Sequence, residues 1–304
     1  MIKIVLAGLD NAGKSSILLS VNRKFSHLPT LSPTKGSVRT RFDYFGRKII
    51  GFDLGGQKDY RDDYLTRPEL FFAETDLLFY IIDMQDPDRY EESGEYFGKI
   101  IAAMEKLNLV PKIVIILHKV DPDLHNSEKI NQDLAKVRTD FEELARQHTL
   151  SITFCTTSIF DHHSIDAMFS IGFRLISSIT GIIEKLLVTY YETTSAHAIA
   201  LLDSENLVLG SYSTNEKEAE TLVQTALVMQ TLFDVHKKIG FEQRESFELS
   251  YANSTFLMEK VKDVAEKSYY LWILTKDLEN ARKNLPFFKE DLFPIVGYFF
   301  TTDK

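Results

Sequence analysis

Residues 2–15 read IKIVLAGLDNAGKS, and this segment decides the fold. Its first half is a run of aliphatic and β-branched residues, which is typical of a strand buried on both faces. Its second half has the spacing G-x-x-x-x-G-K-S and precedes a predicted helix over about 15–24. The motif and the residue that follows it comprise Gly8, Leu9, Asp10, Asn11, Ala12, Gly13, Lys14, Ser15 and Ser16. A strand, a glycine-rich turn and a helix in this order predict a loop that binds phosphate.

The residue types of this loop suit a row of phosphate groups. Glycines let backbone N–H groups close around phosphate oxygens, and the helix N-terminus adds a partial positive charge. We expect Lys14 to reach the β- and γ-phosphates and the Ser15 hydroxyl to bind Mg²⁺. Nucleotide contacts are expected along the whole loop from Asp10 to Ser16.

Strand-like and helix-like segments alternate through the first half of the chain. After the first strand, the predicted strands are 38–44, 48–53, 77–83, 112–117 and 151–155, and the long predicted helices are 90–107 and 127–148. This alternation predicts an α/β domain with a mostly parallel sheet that carries helices on both faces. Such sheets bind ligands at the carboxyl ends of their strands. The domain is predicted to cover residues 1–180.

The predicted strand 48–53 runs into Asp53-Leu54-Gly55-Gly56-Gln57. A carboxylate at Asp53 can hold Mg²⁺ through its water shell, and the N–H of Gly56 can meet the γ-phosphate. Gln57 can orient an attacking water. The same residues also suit a plain strand-ending turn, but their place one hairpin after the phosphate loop favours the catalytic interpretation.

Two further loops follow predicted strands and suit a nucleotide base. His118-Lys119-Val120-Asp121 offers a carboxylate that can accept hydrogen bonds from the N1–H and 2-amino groups of guanine, which adenine lacks. The Lys119 stem can cover the base and sugar. After the next strand, Ser158 and Ile159 lie where a backbone N–H can meet guanine O6.

In this order, the motifs resemble those of the Ras-like small GTPases over residues 1 to about 180. The phosphate loop and the DLGGQ segment are similar to those of the Arf branch. The histidine of HKVD departs from the usual Asn-Lys-x-Asp and, together with TSIFD at 157–161, resembles the Rag/Gtr branch. The resemblance implies a GTPase that binds GTP and GDP with Mg²⁺ and works with activating and exchange proteins.

The resemblance also implies a switch threonine that contacts Mg²⁺ and the γ-phosphate. Thr30 and Thr34 both lie in the loop 28–36, and Thr34 stands just before a predicted strand, as the threonine of the family does. We therefore predict Thr34 in this role. The predicted metal residues are Ser15, Thr34 and Asp53, and the predicted catalytic residues are Gln57, Lys14 and Thr34.

The second switch is predicted over residues 55–70, where the charged stretch 58–64 has few apolar anchors. Such a segment can order and disorder with the γ-phosphate, or it is a solvated helix face. Arg39 and Arg41 lie near the first switch, but their alternation with apolar residues indicates an exposed strand face. Without an arginine of its own at the γ-phosphate, the chain is expected to hydrolyse GTP slowly until a partner accelerates the reaction by ~10³–10⁵-fold.

The second half, predicted as a domain over 181–304, has a different pattern. Two strands, a helix over about 216–239 and three more strands predict an α+β domain with an antiparallel sheet. The aromatic tail at 277–300 is predicted as a helix broken by irregular turns. This order fits the roadblock domain that follows the GTPase in Rag-type chains, which implies a homo- or heterodimer.

The predicted helix at 216–239 carries two apolar stripes. A helix that covers one core needs little more than ~100° of apolar surface, so the excess predicts a second contact, with a partner, the GTPase domain or the tail. One wide contact with the chain's own sheet is the alternative. The first stripe is Leu222, Ala226, Met229 and Phe233, and the second is Val228, Leu232, Val235 and Ile239.

The composition is that of a soluble globular protein. Asp and Glu number 44 against 35 Lys and Arg, and the net charge of −9 argues against nucleic-acid binding through a large basic face. The single cysteine suits a reducing compartment. No uncharged apolar run reaches the ~18–20 residues of a membrane span. We expect a cytoplasmic protein without direct membrane insertion, which partners recruit where it reaches a membrane.

Three functions remain open on the sequence. The first is a GTP-hydrolysing molecular switch whose C-terminal domain dimerises or holds a partner. The second is a scaffold that binds GTP or GDP without appreciable hydrolysis and acts through its roadblock-like dimer. The third, an ATP-using enzyme, is opposed by Asp121.

Overall fold

The chain separates into two units, residues 1–176 and 177–304. The sequence pattern placed this boundary near 181. The structure, a computed structural model, describes residues 2–21, 34–44, 47–176, 178–204, 208–240, 245–251, 253–264 and 267–301. Thr30, the alternative switch threonine, lies outside the described residues.

The first unit is built on a six-stranded sheet with the strand order β2-β3-β1-β4-β5-β6. Its strands are β1 (Ile2–Gly8), β2 (Ser37–Tyr44), β3 (Arg47–Leu54), β4 (Leu77–Asp83), β5 (Lys112–His118) and β6 (Ile152–Thr157). β2 pairs with β3 in antiparallel fashion, and every other pair is parallel. The parallel strands are aliphatic throughout because both of their faces are buried.

Helices cover both faces of this sheet. The helices of the unit are α1 (Lys14–Val21), α2 (Lys58–Thr66), α3 (Pro68–Phe71), α4 (Tyr90–Lys106), α5 (Glu128–Gln147) and α6 (His162–Ile176). Alternate residues of β4 show the two faces: Phe79 contacts Phe169 of α6, whereas Tyr80 contacts Phe97 of α4 and Phe141 of α5. Since the connections are parallel crossovers, the loops that follow β1, β3, β4, β5 and β6 all open at one edge of the sheet.

The second unit is an antiparallel sheet with helices on it. Its strands follow the order β8-β7-β11-β10-β9. The elements are α7 (Ser178–Thr194), β7 (Ala198–Asp203), β8 (Val208–Tyr212), α8 (Glu216–Lys238), β9 (Ser246–Tyr251), β10 (Ser254–Val264), β11 (Lys267–Thr275) and α9 (Leu278–Thr301). Trp272 of the central strand β11 is fully buried in a core with Leu222 and Ala226 of α8. α7 and α9 pack together, where Tyr190 contacts Phe288 and donates to the Ala281 carbonyl.

The predicted fold class is confirmed: an α/β domain with a mostly parallel sheet is followed by an α+β domain with an antiparallel sheet, which fits a roadblock-like domain. Between β6 and β7 the structure has two helices, α6, which ends at Ile176, and α7, which begins at Ser178.

The tail differs from its prediction. α9 is one helix that contains Pro286 and Pro294, with no irregular turns between them. Each proline removes one backbone donor and crowds the preceding turn. Burial at helical spacing stabilises the helix from Ala281 to Leu292, across Pro286. The buried residues are Ala281, Leu285, Phe288 and Leu292.

Candidate functional site

The phosphate loop connects β1 to α1 in a shape that depends on glycine. Gly13 has φ +93°, a backbone conformation that other residues rarely adopt, and a Cβ built there would lie 2.4 Å from the ring of His118. Lys14, the first residue of α1, is buried beneath the loop. Its Nζ donates to the carbonyls of Gly8 at 3.1 Å and Leu9 at 2.6 Å. Burial lowers the pKa of Lys14 to about 8.

A cavity of about 300 Å³ lies over this loop. It brings together predicted residues from the phosphate loop, both switches and the base loop. The lining residues are Asp10, Asn11, Gly13, Lys14, Ser15, Ser16, Thr34, Gly56, Gln57 and Lys119. The volume is of the size that binds a small organic ligand.

Three predicted metal residues form one cluster of oxygen atoms. Ser15 Oγ lies 2.5 Å from Asp53 Oδ2 and 2.8 Å from Thr34 Oγ1, and Thr34 Oγ1 lies 3.3 Å from the same Asp53 oxygen. Burial raises the pKa of Asp53, against the opposing effect of its hydrogen bond from Ser15. Asp53 Oδ1 is buried and accepts no hydrogen bond from any described residue. A hard set of oxygen donors with one unused carboxylate oxygen fits Mg²⁺ and its bound waters.

Gly56 and Gln57 lie at the start of the second switch. A Cβ built on Gly56 would lie 2.2 Å from the backbone nitrogen of Asp10. Only glycine therefore allows this segment to lie so close to the phosphate loop. Gln57 is exposed and is the N-cap residue of α2. Its carbonyl accepts the backbone N–H of Arg61 at 3.0 Å.

The base loops form a second polar cluster at the ends of β5 and β6. Asp121 accepts hydrogen bonds on both carboxylate oxygens, from Ser158 Oγ at 2.5 Å and from Gln85 Nε2 at 2.8 Å. Lys119 Nζ lies 2.6 Å from Asp83 Oδ2. The N–H of Ser158 donates to Ser164 Oγ at 3.0 Å, so of the two residues predicted to meet guanine O6 only Ile159 stays a candidate.

His118 stands where the related motif has asparagine. Its Nδ1 lies 2.8 Å from Thr157 Oγ1, and its ring packs against Gly13. Burial lowers the pKa of His118 to about 4, so the imidazole is neutral at physiological pH. His118 therefore links the base loops to the phosphate loop by packing and hydrogen bonding, without a charge.

The sequence analysis missed Asp83 and Gln85, which hold Lys119 and Asp121 in place. The register of the parallel strands is the signal that could have identified Asp83. In the sheet, Asp83 of β4 pairs with His118 of β5, which in turn pairs with Thr157 of β6. Polar residues at the carboxyl ends of neighbouring parallel strands meet at one edge.

The segment predicted as the second switch is anchored by two residues whose burial the sequence analysis did not predict. Arg61 and Tyr64 of α2 are buried and Tyr60 packs against the core, whereas the charged residues 58, 59 and 62 are exposed. Tyr64 donates to the carbonyl of Gly36 at 2.7 Å, which joins α2 to the strand after the first switch. Arg39 is exposed with its guanidinium over the ring of Phe52, and the side chain of Arg41 lies outside the described part of the structure.

In the second unit, one apolar stripe of α8 is buried and the other is exposed. Leu222 and Ala226 are buried, and Met229 and Phe233 pack against the same core. The second stripe is between 44 and 66% exposed, and we call it the α8 stripe: Val228, Leu232, Val235 and Ile239.

The edge strand β9 carries further exposed apolar residues. Phe247 of β9 contacts Phe233 of α8 with 5.4 Å between ring centroids, so this face of the strand is the one that α8 covers. Leu249 and Tyr251 point to the same face because side chains alternate along a strand, and both are exposed. The α8 stripe, Leu249 and Tyr251 together form what we call the α8–β9 face.

Fold and site together define a P-loop nucleotide-binding protein with a second, α+β unit. Residues 3–240 match the family described as the Gtr1/RagA G protein conserved region. The chain belongs to this family, which confirms the predicted Rag-type resemblance.

Curated relatives fall into two groups. The chain is 29% identical to Ras-related GTP-binding protein C of Mus musculus over 209 residues, which are 66% of this chain and 50% of that protein. It is 25% identical to Ras-related GTP-binding protein D of Mus musculus over 79% of this chain and 54% of that protein. It is 31% identical to ADP-ribosylation factor-like protein 3 of Caenorhabditis elegans over 45% of this chain and 74% of that protein. The chain thus spans about half the length of the two Ras-related proteins.

Proposed function

We propose that this chain is a guanine-nucleotide switch, which binds GTP and GDP with Mg²⁺ and hydrolyses GTP slowly on its own. The observation that carries the proposal is the Asp121 carboxylate, which Ser158 and Gln85 orient at the base end of the site. A carboxylate held in this way accepts hydrogen bonds from the N1–H and 2-amino groups of guanine but finds no such donors on adenine. Membership of a G-protein family supports the same assignment.

The phosphate end is assigned from the cavity over the phosphate loop, which Lys119 of the base loop also lines. Backbone N–H groups from Asp10 to Ser16 surround the phosphates, and the Lys14 ammonium compensates their charge. Ser15, Thr34 and Asp53 hold Mg²⁺, which supplies charge stabilisation at the β- and γ-phosphate oxygens. Lys119 covers the base with its stem, and the N–H of Ile159 meets guanine O6.

Gln57 orients the water that attacks the γ-phosphate, and the Gly56 N–H contacts the same group. Arg61 and Arg89 are the guanidinium groups whose charges lower the pKa of Lys14, but carboxylates hold both of them. No cation is thus left over from this pair to stabilise the transition state. An arginine from an activating protein is expected to add ~10³–10⁵-fold in rate.

The direct test is nucleotide selectivity of the wild-type chain and Asp121→Asn. We expect the wild type to bind GTP and GDP in preference to ATP in calorimetry with Mg²⁺. Asp121→Asn turns an acceptor into a donor, and it is expected to lose roughly 100-fold in GTP affinity and to gain affinity for xanthosine triphosphate. If ATP competes equally with GTP for the wild type, the base assignment is wrong and an ATP-using enzyme is favoured.

The alternative is a scaffold that binds the nucleotide without appreciable hydrolysis. Gln57 distinguishes the two, because it lies at the cavity and has no structural role in the core. In single-turnover assays we expect Gln57→Leu to slow hydrolysis by roughly tenfold, with Gln132→Leu on the exposed face of α5 as the matched control. A wild type no faster than Gln57→Leu favours the scaffold.

The second unit is proposed to pair with a second copy or a related chain through the α8–β9 face. An exposed apolar stripe and an unpaired strand edge favour association, because burying them removes apolar surface from water and pairs free backbone groups. Within the described ranges no helix is both long and apolar enough to cross a membrane. We propose a cytoplasmic protein that partners recruit to membranes and that activating and exchange proteins regulate.

A further inference from the structure

Four charged side chains beside the nucleotide cavity are linked in series, and we call them the charge chain: Asp10, Arg89, Glu92 and Arg61. Arg89 Nη2 lies 2.7 Å from Asp10 Oδ1, and Arg89 Nε lies 2.9 Å from Glu92 Oε2. The other oxygen of Glu92 accepts a hydrogen bond from Arg61 Nη2 at 2.5 Å. The charge chain thus joins the phosphate loop to α2 through the first turn of α4.

Asp10 lies at the end of the loop where the γ-phosphate is expected. Its backbone nitrogen is the atom that a Cβ on Gly56 would meet at 2.2 Å, and its side chain lines the cavity with Gln57. A carboxylate inside an anion site repels the phosphate that the site must hold. The hydrogen bond from Arg89 lowers the pKa of Asp10, so this carboxylate stays ionised and its charge requires compensation.

The other end of the charge chain fixes the start of the second switch. The backbone N–H of Arg61 donates to the carbonyl of Gln57. The Arg61 side chain is only 9% exposed, and its guanidinium lies 5.0 Å from the centroid of the Tyr96 ring. Holding this guanidinium against Glu92 and Tyr96 holds the turn that carries Gln57.

We propose that Arg89 is a positioning residue of the nucleotide site, which compensates the charge of Asp10 beside the γ-phosphate and ties the phosphate loop to the second switch. The inference rests on the proposed function, because it takes the occupant of the loop to be GTP or GDP. Removing Arg89 leaves a carboxylate that repels GTP more than GDP, which lacks the γ-phosphate. The affinity for GTP therefore falls more than the affinity for GDP.

A purely structural role for the charge chain predicts something different. If Arg89 only stabilises the loop, its loss lowers the affinities for GTP and GDP by the same factor. Neutralising Asp10 as well then brings no recovery, because a second contact of the loop is lost. The ratio of the two affinities separates the alternatives independently of overall stability.

The test is a double-mutant cycle on the full chain with fluorescent GDP and a fluorescent non-hydrolysable GTP analogue, at fixed Mg²⁺ concentration. Arg89→Gln is expected to weaken the GTP analogue roughly tenfold more than GDP. Adding Asp10→Asn to Arg89→Gln is expected to restore the affinity ratio to within about twofold of wild type. Glu95→Gln, which removes an exposed carboxylate from the same helix, is the matched control and leaves the ratio unchanged.

An unchanged ratio in Arg89→Gln, or a change that Asp10→Asn does not restore, overturns the inference but leaves the proposed function standing. A wild type that binds neither nucleotide refutes the proposed function itself. If thermal unfolding shows that Arg89→Gln does not fold, Arg89→Lys takes its place. This variant keeps the charge and must keep the affinity ratio, and a shifted ratio in a folded Arg89→Lys also overturns the inference.

Glu92→Gln tests the link to the second switch. The substitution weakens the hold on Arg61 while the pair between Arg89 and Asp10 remains. Amide hydrogen exchange at Arg61, whose N–H is bonded to the Gln57 carbonyl, is expected to become at least roughly threefold faster. Exchange at the wild-type rate shows that α2 is held without the charge chain and overturns this half of the inference.

Discussion

The nucleotide site of the first unit and the α8–β9 face of the second unit differ in how far their side chains find partners within their own unit. In the nucleotide site, Asp121 finds its partners Ser158 and Gln85 within the unit, and one oxygen of Asp53 is left without a partner among the described residues. On the α8–β9 face, apolar side chains such as Val235 and Tyr251 remain exposed, Tyr251 by 77%.

The difference follows from how each region is assembled. Parallel strand ends converge at one edge, so residues far apart in sequence satisfy one another there. The α8–β9 face lies at the outer strand of an antiparallel sheet, where the next layer has to come from elsewhere. The first region is built within one unit, whereas the second leaves apolar side chains exposed, which is why we propose that association covers them.

The largest expected effect is a loss of nucleotide affinity on replacing Lys14. It tests whether the first region is an anion-binding site. Lys14→Ala removes the buried ammonium and is expected to lower GTP and GDP affinity by roughly 100-fold in calorimetry with Mg²⁺. Lys35→Ala, on an exposed lysine beside Thr34, is the matched control. A titration of Lys14→Ala that matches the wild type would contradict the phosphate assignment.

The next effect concerns acid stability and the buried imidazole. Because burial lowers the pKa of His118 to about 4, below its unfolded value near 6.5, the unfolded chain binds more protons between these values. Stability is therefore present above pH ~6.5 and is lost as the pH falls toward ~4. We expect His118 to account for a loss of roughly 2 kcal/mol in unfolding free energy between about pH 7 and pH 5.

His118→Asn checks this expectation, since asparagine does not titrate and is the usual residue of the related motif. Denaturant unfolding at the two pH values is compared for the wild type, His118→Asn and His125→Asn, which changes an exposed histidine in the next turn. A pH dependence that is the same in all three proteins means that the buried imidazole is not the acid-sensitive group.

The smallest expected effect is a loss of self-association on changing the α8–β9 face. Val235→Glu places a charge in the α8 stripe and is expected to weaken self-association by roughly tenfold in sedimentation of the full chain. Val110→Glu changes an equally apolar and still more exposed valine of the first unit, and it should leave association unchanged. Self-pairing through the α8–β9 face is wrong if Val235→Glu and the wild type sediment alike at every concentration.

Sequence was sufficient where local pattern and chemistry agree. The phosphate loop, the strands around it and the second apolar stripe of α8 follow from spacing and periodicity alone. The exposure of Val235 in the folded unit is what the excess apolar arc suggested, although the pattern left its occupant open.

Sequence was insufficient where tertiary packing decides. The stretch 58–64 was expected to have few apolar anchors, but Tyr64 lies in the hydrophobic core and Tyr60 packs against it. Arg61 is buried as well, through its ion pair with Glu92. α9 runs through Pro286 because buried residues on both sides of this proline pack the helix, in part against α7, which no local propensity conveys. Gln85 escaped notice because its partner Asp121 is 36 positions away in the chain.

The contact between Gly13 and His118 makes positions 13 and 118 a single unit for protein engineering. A Cβ at position 13 would lie 2.4 Å from the imidazole ring, and the φ of +93° disfavours any residue but glycine there whatever stands at 118. A replacement of the histidine therefore changes a packing contact of the phosphate loop as well as the hydrogen bond to Thr157, so its effects on base preference and on phosphate binding have to be measured together.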